Sequence, residues 1–361
     1  MYKSLQAGRA IAALFVVLFH LGPAIASAKY FSIAAFSIPF AFGKAGVEFF
    51  FVLSGFIIFY AHRNDISRPR QLLGYVRKRF VRIYPAYWII FISVFCLALA
   101  SASLRNTVPH DPLLLLKALL LIPLDNDVSG INGAPVLNVA WTLQYEMLFY
   151  ASFALVIIHR FFGVALILAF ASLYFFYRDS QDLAFPLSFL LSDYMWLFIM
   201  GMAVSLACAV YKISLPKALI CAGIGAALFV FVAAHHVMGS VWLTDREILP
   251  YGAACSLIVF GLVQAEDKGW TLLGNKWVQL LGSASYALYL IHYPLISVLC
   301  KVAVLLKLPK LGLTGALLTY VAILLACLAA SAALHVWIEK PLTLRLRNRR
   351  TSRLPPRQSR A

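Results

Sequence analysis

Residues Gly8–Leu21 read GRAIAALFVVLFHL, the centre of an apolar run, Leu5–Ser27, of membrane-spanning length. The run is unusual in carrying Arg9 and His20. Eleven residues at about 100° each make three turns plus roughly 20°, so the two side chains share one helix face, about 16 Å apart along the axis. Arg9 falls at the membrane boundary and His20 well inside. An ionisable side chain inside a membrane helix is costly, which marks His20 as a functional candidate.

Composition sets the class. Of 361 residues 62% are hydrophobic and 12% charged, with long uncharged runs that no soluble core requires. The net charge of +17 points to anionic partners, but in such a chain basic residues first report topology. Nucleic acid is not among the expected partners, because no soluble basic domain is present to hold it. The six cysteines all lie in apolar segments without a CxxC pair and read as buried apolar side chains. Lys3 and Arg9, the apolar run and Ala26-Ser27-Ala28 imitate a cleaved signal peptide. His20 does not belong in such a segment, and removal would take a helix from the bundle, so the run is expected to stay.

Ten segments reach spanning length: Leu5–Ser27, Phe40–Ala61, Tyr84–Ser103, Val139–Ile158, Gly163–Tyr177, Pro186–Val210, Leu215–Ala234, Pro250–Ala265, Val278–Leu306 and Leu311–Ile338. Most of the 31 Lys and Arg residues fall on one set of loops and ends, including Arg68–Arg82 and the stretch after Lys340. The expected fold is an all-α integral membrane protein, a bundle of about ten transmembrane helices with both termini cytoplasmic. The long outer connection Leu104–Asn138 carries four prolines and a turn-rich run, Asp125–Gly133. Within it Leu113–Ile122 is too short to span and reads as re-entrant or interfacial. The Ser- and Pro-containing basic stretch 342–361 reads as a disordered cytoplasmic tail near anionic headgroups, membrane lipids being its partners.

Other polar groups occur at spanning depth. Glu48 lies about 22 Å from the boundary marked by Arg63, and Glu146 about 21 Å from Arg160. Ser285, Tyr289 and His292 share one face of the ninth segment. Two carboxylates and two imidazoles at similar depth either satisfy one another and lock the helices together, or line a shared cavity. The loop Arg68–Arg82, RPRQLLGYVRKRFVR, holds more positive charge than topology requires. Arg79 and Arg82 are helix-face neighbours, and arginine suits phosphate. With Arg9 they could hold a phosphorylated donor whose reactive end reaches His20 through a tunnel. No metal-ligating cluster is visible: His235-His236 lies near an outer loop without evident partners.

Six motifs in order then identify a resemblance. They are Arg9-x10-His20, GVEFFFVLSGFII (Gly46–Ile58), RKRFVRIYPAYW (Arg77–Trp88), WTLQYEMLFY (Trp141–Tyr150), SYALYLIHYP (Ser285–Pro294) and WIEKP (Trp337–Pro341). Together they resemble the acyltransferase-3 family of integral membrane O-acyltransferases, especially members acting on bacterial surface polysaccharide and lipopolysaccharide O-antigen. The likeness spans roughly Leu5 to Pro341, and residues 1–341 are expected to form one membrane acyltransferase domain.

The resemblance implies a multi-pass protein of the bacterial inner membrane. It implies that His20 is the catalytic base and Arg9 its essential companion, and that Arg79 and Arg82 bind the acyl donor. Thr142 departs mildly from a position where the family often has Ser. Some relatives carry a fused hydrolase-like domain after the last helix; with none before Ala361, any second transfer step is expected to need another protein.

The implied activity is transfer of an acyl group, most simply acetyl, from cytoplasmic acyl-CoA to a hydroxyl of a surface polysaccharide or lipid-linked glycan. Acyl-CoA is then a substrate and no cofactor is permanently bound. Glu146 joins His20 as a catalytic candidate that orients the imidazole, a role Glu48 could also fill. Glu48, Trp141, Ser285, Tyr289 and His292 are candidates for holding substrate, and polysaccharide-assembly proteins are possible partners. The rival reading is a transporter or flippase of lipid-linked sugars. Inverted repeats would favour it, and the sequence has no internal repeat. A third reading is a structural partner of an export complex.

Overall fold

A computed structural model describes residues 2–101, 104–125, 133–177, 180, 183–239 and 247–348. Among them there is no strand, and ten helices are long and apolar enough to cross a membrane. The helices that position the site are α1 (Lys3–Ala26), α2 (Gly46–His62), α3 (Leu72–Ala100), a short α4 (Pro112–Leu119) and α5 (Trp141–Ile158). They are followed by α6 (Arg160–Tyr177), α7 (Tyr194–Val210), α8 (Leu215–Val237), α9 (Ile248–Glu266), α10 (Lys276–Leu305), α11 (Gly312–Leu334) and α12 (Lys340–Asn348). The main core lies among α2, α3, α5, α7 and α9, while a second cluster joins α1 to α10 and α11. Helix α6 buries none of its residues and lies at the rim of the bundle.

Two crossings show how backbones come together without a hydrophobic driving force inside lipid. Helices α2 and α7 meet at Gly55 and Gly201, where a Cβ would stand 2.1 Å from the Phe198 oxygen and 2.0 Å from the Val52 oxygen. Helices α1 and α10 meet at Gly282, where it would stand 2.1 Å from the Gln6 oxygen. Gly282→Ala is therefore expected to cost about 1–3 kcal/mol of stability through overpacking. Gly223→Ala, on a surface with nothing within 4 Å, should not. Thermal unfolding of both variants in one detergent checks the contrast; equal midpoints would remove the tight crossing.

The basic stretch Arg68–Arg82, expected as a loop, is mostly helix. After a turn at Pro69–Gln71, α3 begins at Leu72, ten residues before the run RKRFVR ends at Arg82. The reason is that the bundle supplies a lining for these charges, so arginine need not stay outside the helix. Further along α3, aromatic residues hold the short helix α4. Asp111 caps α4 by accepting from the Leu113 amide at 2.8 Å. At its other end the carbonyls of Ala118, Leu119 and Leu120 accept from the Tyr87 hydroxyl, the Trp88 indole and the Tyr84 hydroxyl at 2.7, 2.9 and 2.9 Å. Thus the YPAYW motif fixes the end of α4 against α3. The expected turn-rich run lies largely outside the described residues.

At the basic end of the bundle, Glu266 closes the start of α1, accepting from the Lys3 and Ser4 amides at 2.7 Å each. The last span continues past the expected stop at Pro341. A π-helical turn, His335–Glu339, leads into α12. Pro341 lies just past that π-helical turn, where the helix continues without a break. Arg77 then donates to the Leu346 carbonyl at 2.6 Å, fixing α12 against α3. The early part of the expected disordered tail is accordingly helix; residues 349–361 lie outside the described residues.

Candidate functional site

A cavity of about 820 Å³ opens at the basic end between α1, α2, α3, α5, α10 and the last span. Arg9, Arg77, Lys78, Arg79, Arg82 and Lys340 line it, against the single lining carboxylate of Glu146. Such a surface favours an anion with several charges. Arg9 is held by the Ser285 hydroxyl, which accepts from Nη2 at 2.9 Å and Nε at 3.2 Å. Arg79 lies over the rings of Tyr150 and Tyr75, 5.6 and 5.9 Å from their centroids. Its buried Nε has no hydrogen-bond partner. Arg82 lies over Tyr286 at 5.2 Å and donates to the Glu339 carboxylate at 2.7 Å. The helical start of α3 places Arg79 and Arg82 on the wall of the cavity that Glu146 of α5 also lines, instead of on a peripheral loop.

Glu146 faces the same cavity. It accepts from the Ser54 hydroxyl at 3.2 Å and, in a short bond, from the Tyr150 hydroxyl. Neither contact involves His20. The expectation that Glu146 orients the imidazole is not met: Tyr150, one turn along the same helix, takes the carboxylate toward the arginines.

Arg9 and His20 do share a helix face, and that face packs on α10. Arg9 meets Ser285, and His20 meets His292 two turns further on, with Nδ1 of His20 3.2 Å from Nε2 of His292. His20 Nδ1 also lies 2.9 Å from the Val16 carbonyl. Tyr289 stands between the two levels. Its ring lines the cavity, packs 5.8 Å from the His292 ring and 6.4 Å from that of Phe50. Its hydroxyl donates to the Val139 carbonyl at 3.0 Å and accepts from Thr142 at 2.9 Å. The expected open tunnel from the arginines to His20 is closed here. The cavity lining includes Phe50, Thr142 and Tyr289 but neither histidine.

Two expected site residues lie elsewhere. Glu48 is 2% exposed, keeps one carboxylate oxygen without a partner, and is outside the cavity lining. It lies near Tyr194 of α7 and Cys255 of α9. Depth along a helix is countable in sequence; the direction around its axis is not, and α2 is too uniformly apolar to reveal it. Trp141 occupies the other face of α5. Thr142, Glu146 and Tyr150 face the large cavity at four-residue spacing, whereas Trp141, Gln144 and Tyr145 line a separate pocket of about 330 Å³ with Tyr194 and Phe189. His236, unpartnered in the sequence reading, meets Glu247, which also pairs with Lys44 at 3.1 Å. Among the described residues no cluster of three or more His, Cys, Asp or Glu could hold a metal.

Sequence reasoning missed Glu339 and His335. Glu339 is 3% exposed and accepts from Arg82 and, at 2.8 Å, from His335 Nδ1–H. The available signal was the acidic residue inside WIEKP, which the π-helical turn aims at the cavity rim.

Known proteins bear on this arrangement. Residues 2–336 match the acyltransferase domain family. The exopolysaccharide production protein ExoZ of Rhizobium meliloti (strain 1021) is 29% identical over 325 residues, covering 87% of this chain and 93% of that protein. No solved structure matches the chain. With a family match over nearly its whole length and ten spans around a cationic cavity, the chain belongs to the acyltransferase-3 family of membrane acyltransferases.

Proposed function

We propose that the protein moves an acyl group, most simply acetyl, from cytoplasmic acyl-CoA to a hydroxyl of a surface polysaccharide or its lipid-linked precursor, in the bacterial inner membrane. The observation that carries the reading is the cavity lined by Arg9, Arg79 and Arg82, in which the buried Arg79 Nε lacks an acceptor. The phosphates of CoA supply such acceptors, with bidentate geometry suited to guanidinium groups. The positive-inside bias supports a cytoplasmic position for this end and both termini, on the side where the donor is made. The thioester arm spans the distance from Arg9 to His20, about 16 Å along α1, once Phe50 and Tyr289, which close the cavity on that side, move aside. His20 removes the hydroxyl proton as the oxygen attacks the thioester carbonyl. Glu146 holds the polar middle of the donor site with Ser54 and Tyr150, and Ser285 and Tyr289 line the path of the arm.

The acceptor class follows the name of the Rhizobium relative, a protein of exopolysaccharide production. The purified protein should hydrolyse acetyl-CoA slowly without acceptor, and in proteoliposomes should use acetyl-CoA supplied on the arginine side alone. Surface glycan from a deletion strain should lack O-acetyl groups. Unchanged O-acetylation in that strain would overturn the acceptor assignment, and donor use from the opposite side would overturn the donor site.

A further inference from the structure

We propose that His292 is a positioning residue for His20: it holds the His20 imidazole with its hydrogen on Nδ1, so that Nε2 is the atom that takes the acceptor's proton. The inference rests on the reading of His20 as the base and adds which nitrogen acts and what fixes it.

The hydrogen positions follow from the partners. His292 Nδ1 lies 3.1 Å from the Leu288 carbonyl, four residues back on α10. A carbonyl only accepts, so this nitrogen carries the hydrogen, and Nε2 of the neutral ring keeps its lone pair. His20 repeats the arrangement on α1, its Nδ1 lying 2.9 Å from the Val16 carbonyl. That nitrogen therefore donates as well, and the His292 Nε2 lone pair stands 3.2 Å from it. One N–H thus serves two acceptors, a shared geometry familiar in helices. Both ends of the relay are closed by backbone, and among the described residues the one nitrogen of these two rings left without a hydrogen and without a partner is His20 Nε2.

The surroundings keep this orientation. His292 is wholly buried. The His20 ring is flanked edge-on by Phe19 and Tyr293, with centroids 4.9 and 5.3 Å away, so it cannot turn over freely. The proton balance is complete. The acceptor O–H breaks, its proton goes to His20 Nε2, the new ester C–O bond forms, and the C–S bond breaks. The Nε2 proton then passes to the departing CoA thiolate. Throughout, the Nδ1–H stays on His20, and its two acceptors stabilise the transient imidazolium. His292 receives no proton; it orients one.

The test uses the full-length protein in nanodiscs, with acetyl-CoA hydrolysis as the reaction and ¹⁵N-histidine spectra as a second readout. His292→Leu should lower kcat about ten- to thirtyfold with KM for acetyl-CoA within about twofold, since the donor cavity is untouched. His292→Gln, whose side-chain oxygen can accept from Nδ1–H, should recover most of the loss. The wild-type spectrum should show His20 with hydrogen on Nδ1, and His292→Leu should mix the two tautomers. A wild-type spectrum with hydrogen on Nε2 would overturn the proposal whether or not any variant folds. So would an unchanged kcat and tautomer in His292→Leu while His20→Gln is inactive. Full activity of His20→Gln would instead remove the base itself.

Discussion

His20→Ala is expected to lower acyl transfer by about 10²–10⁴-fold, the usual worth of a positioned general base, while the protein remains folded and inserted. Folding should survive because His20 bonds to no charged group. Its bonds go to Val16 on its own helix and to His292. Removing it leaves one buried acceptor, His292 Nε2, without a donor, at about 1–3 kcal/mol. Against that, an alanine at this depth spares the helix the cost of a polar group in the membrane. His20→Gln is the sharper variant. Its amide can donate to Val16 or His292 but cannot take a proton from a hydroxyl, so it should keep the stability and lose the activity. Surface-glycan acylation and thermal stability measured on the same two variants check both halves. Normal acylation in either variant would remove His20 from the chemistry.

How much of this was legible before any coordinates depends on the kind of information each residue carries. Span number was readable because a helix without polar partners in lipid must be long and apolar, and that constraint is written in composition. The shared face of Arg9 and His20 was readable because both lie on one helix, where geometry is fixed at 3.6 residues per turn. The Ser285, Tyr289 and His292 face was readable for the same reason. Relations between helices were not. Glu48 and Glu146 have nearly equal depth, yet Glu146 joins the arginine cavity and Glu48 turns toward α7 and α9. The start of α3 was misplaced because charge was taken as a boundary. Here Tyr75, Tyr150 and Tyr286 provide faces for guanidinium groups within the bundle. Glu339 escaped notice because Pro341 marked an end to the helix, whereas the π-helical turn carries the carboxylate to Arg82 and lets the chain go on.

Arg79→Ala should weaken acyl-CoA binding about 10–150-fold, the equivalent of about 1.5–3 kcal/mol for one charge-assisted hydrogen bond. Arg82→Ala should weaken it too, but with a second effect. Arg82 is already paired with Glu339, which is nearly fully buried. Removing it leaves that carboxylate only His335 among its bonded side chains; because Arg82 is itself 35% exposed, the loss stays below the roughly 3–5 kcal/mol of a fully buried pair broken from one side. Arg79 has no such partner: its contacts are the two tyrosine rings, and its Nε waits without an acceptor. Loss of binding in Arg79→Ala therefore reports the donor, and loss in Arg82→Ala reports the donor and the fold together. Arg79→Lys keeps the charge but not the planar fork, and should recover only part of the affinity. The decisive comparison uses CoA and 3′-dephospho-CoA on wild type and each variant by calorimetry. If these arginines bind phosphate, the dephosphorylated ligand should lose less on mutation than CoA does. Equal losses for the two ligands would mean that the arginines shape the cavity and set topology without gripping the nucleotide phosphate, and the donor would have to be anchored by Arg9 and the cations of α12 instead.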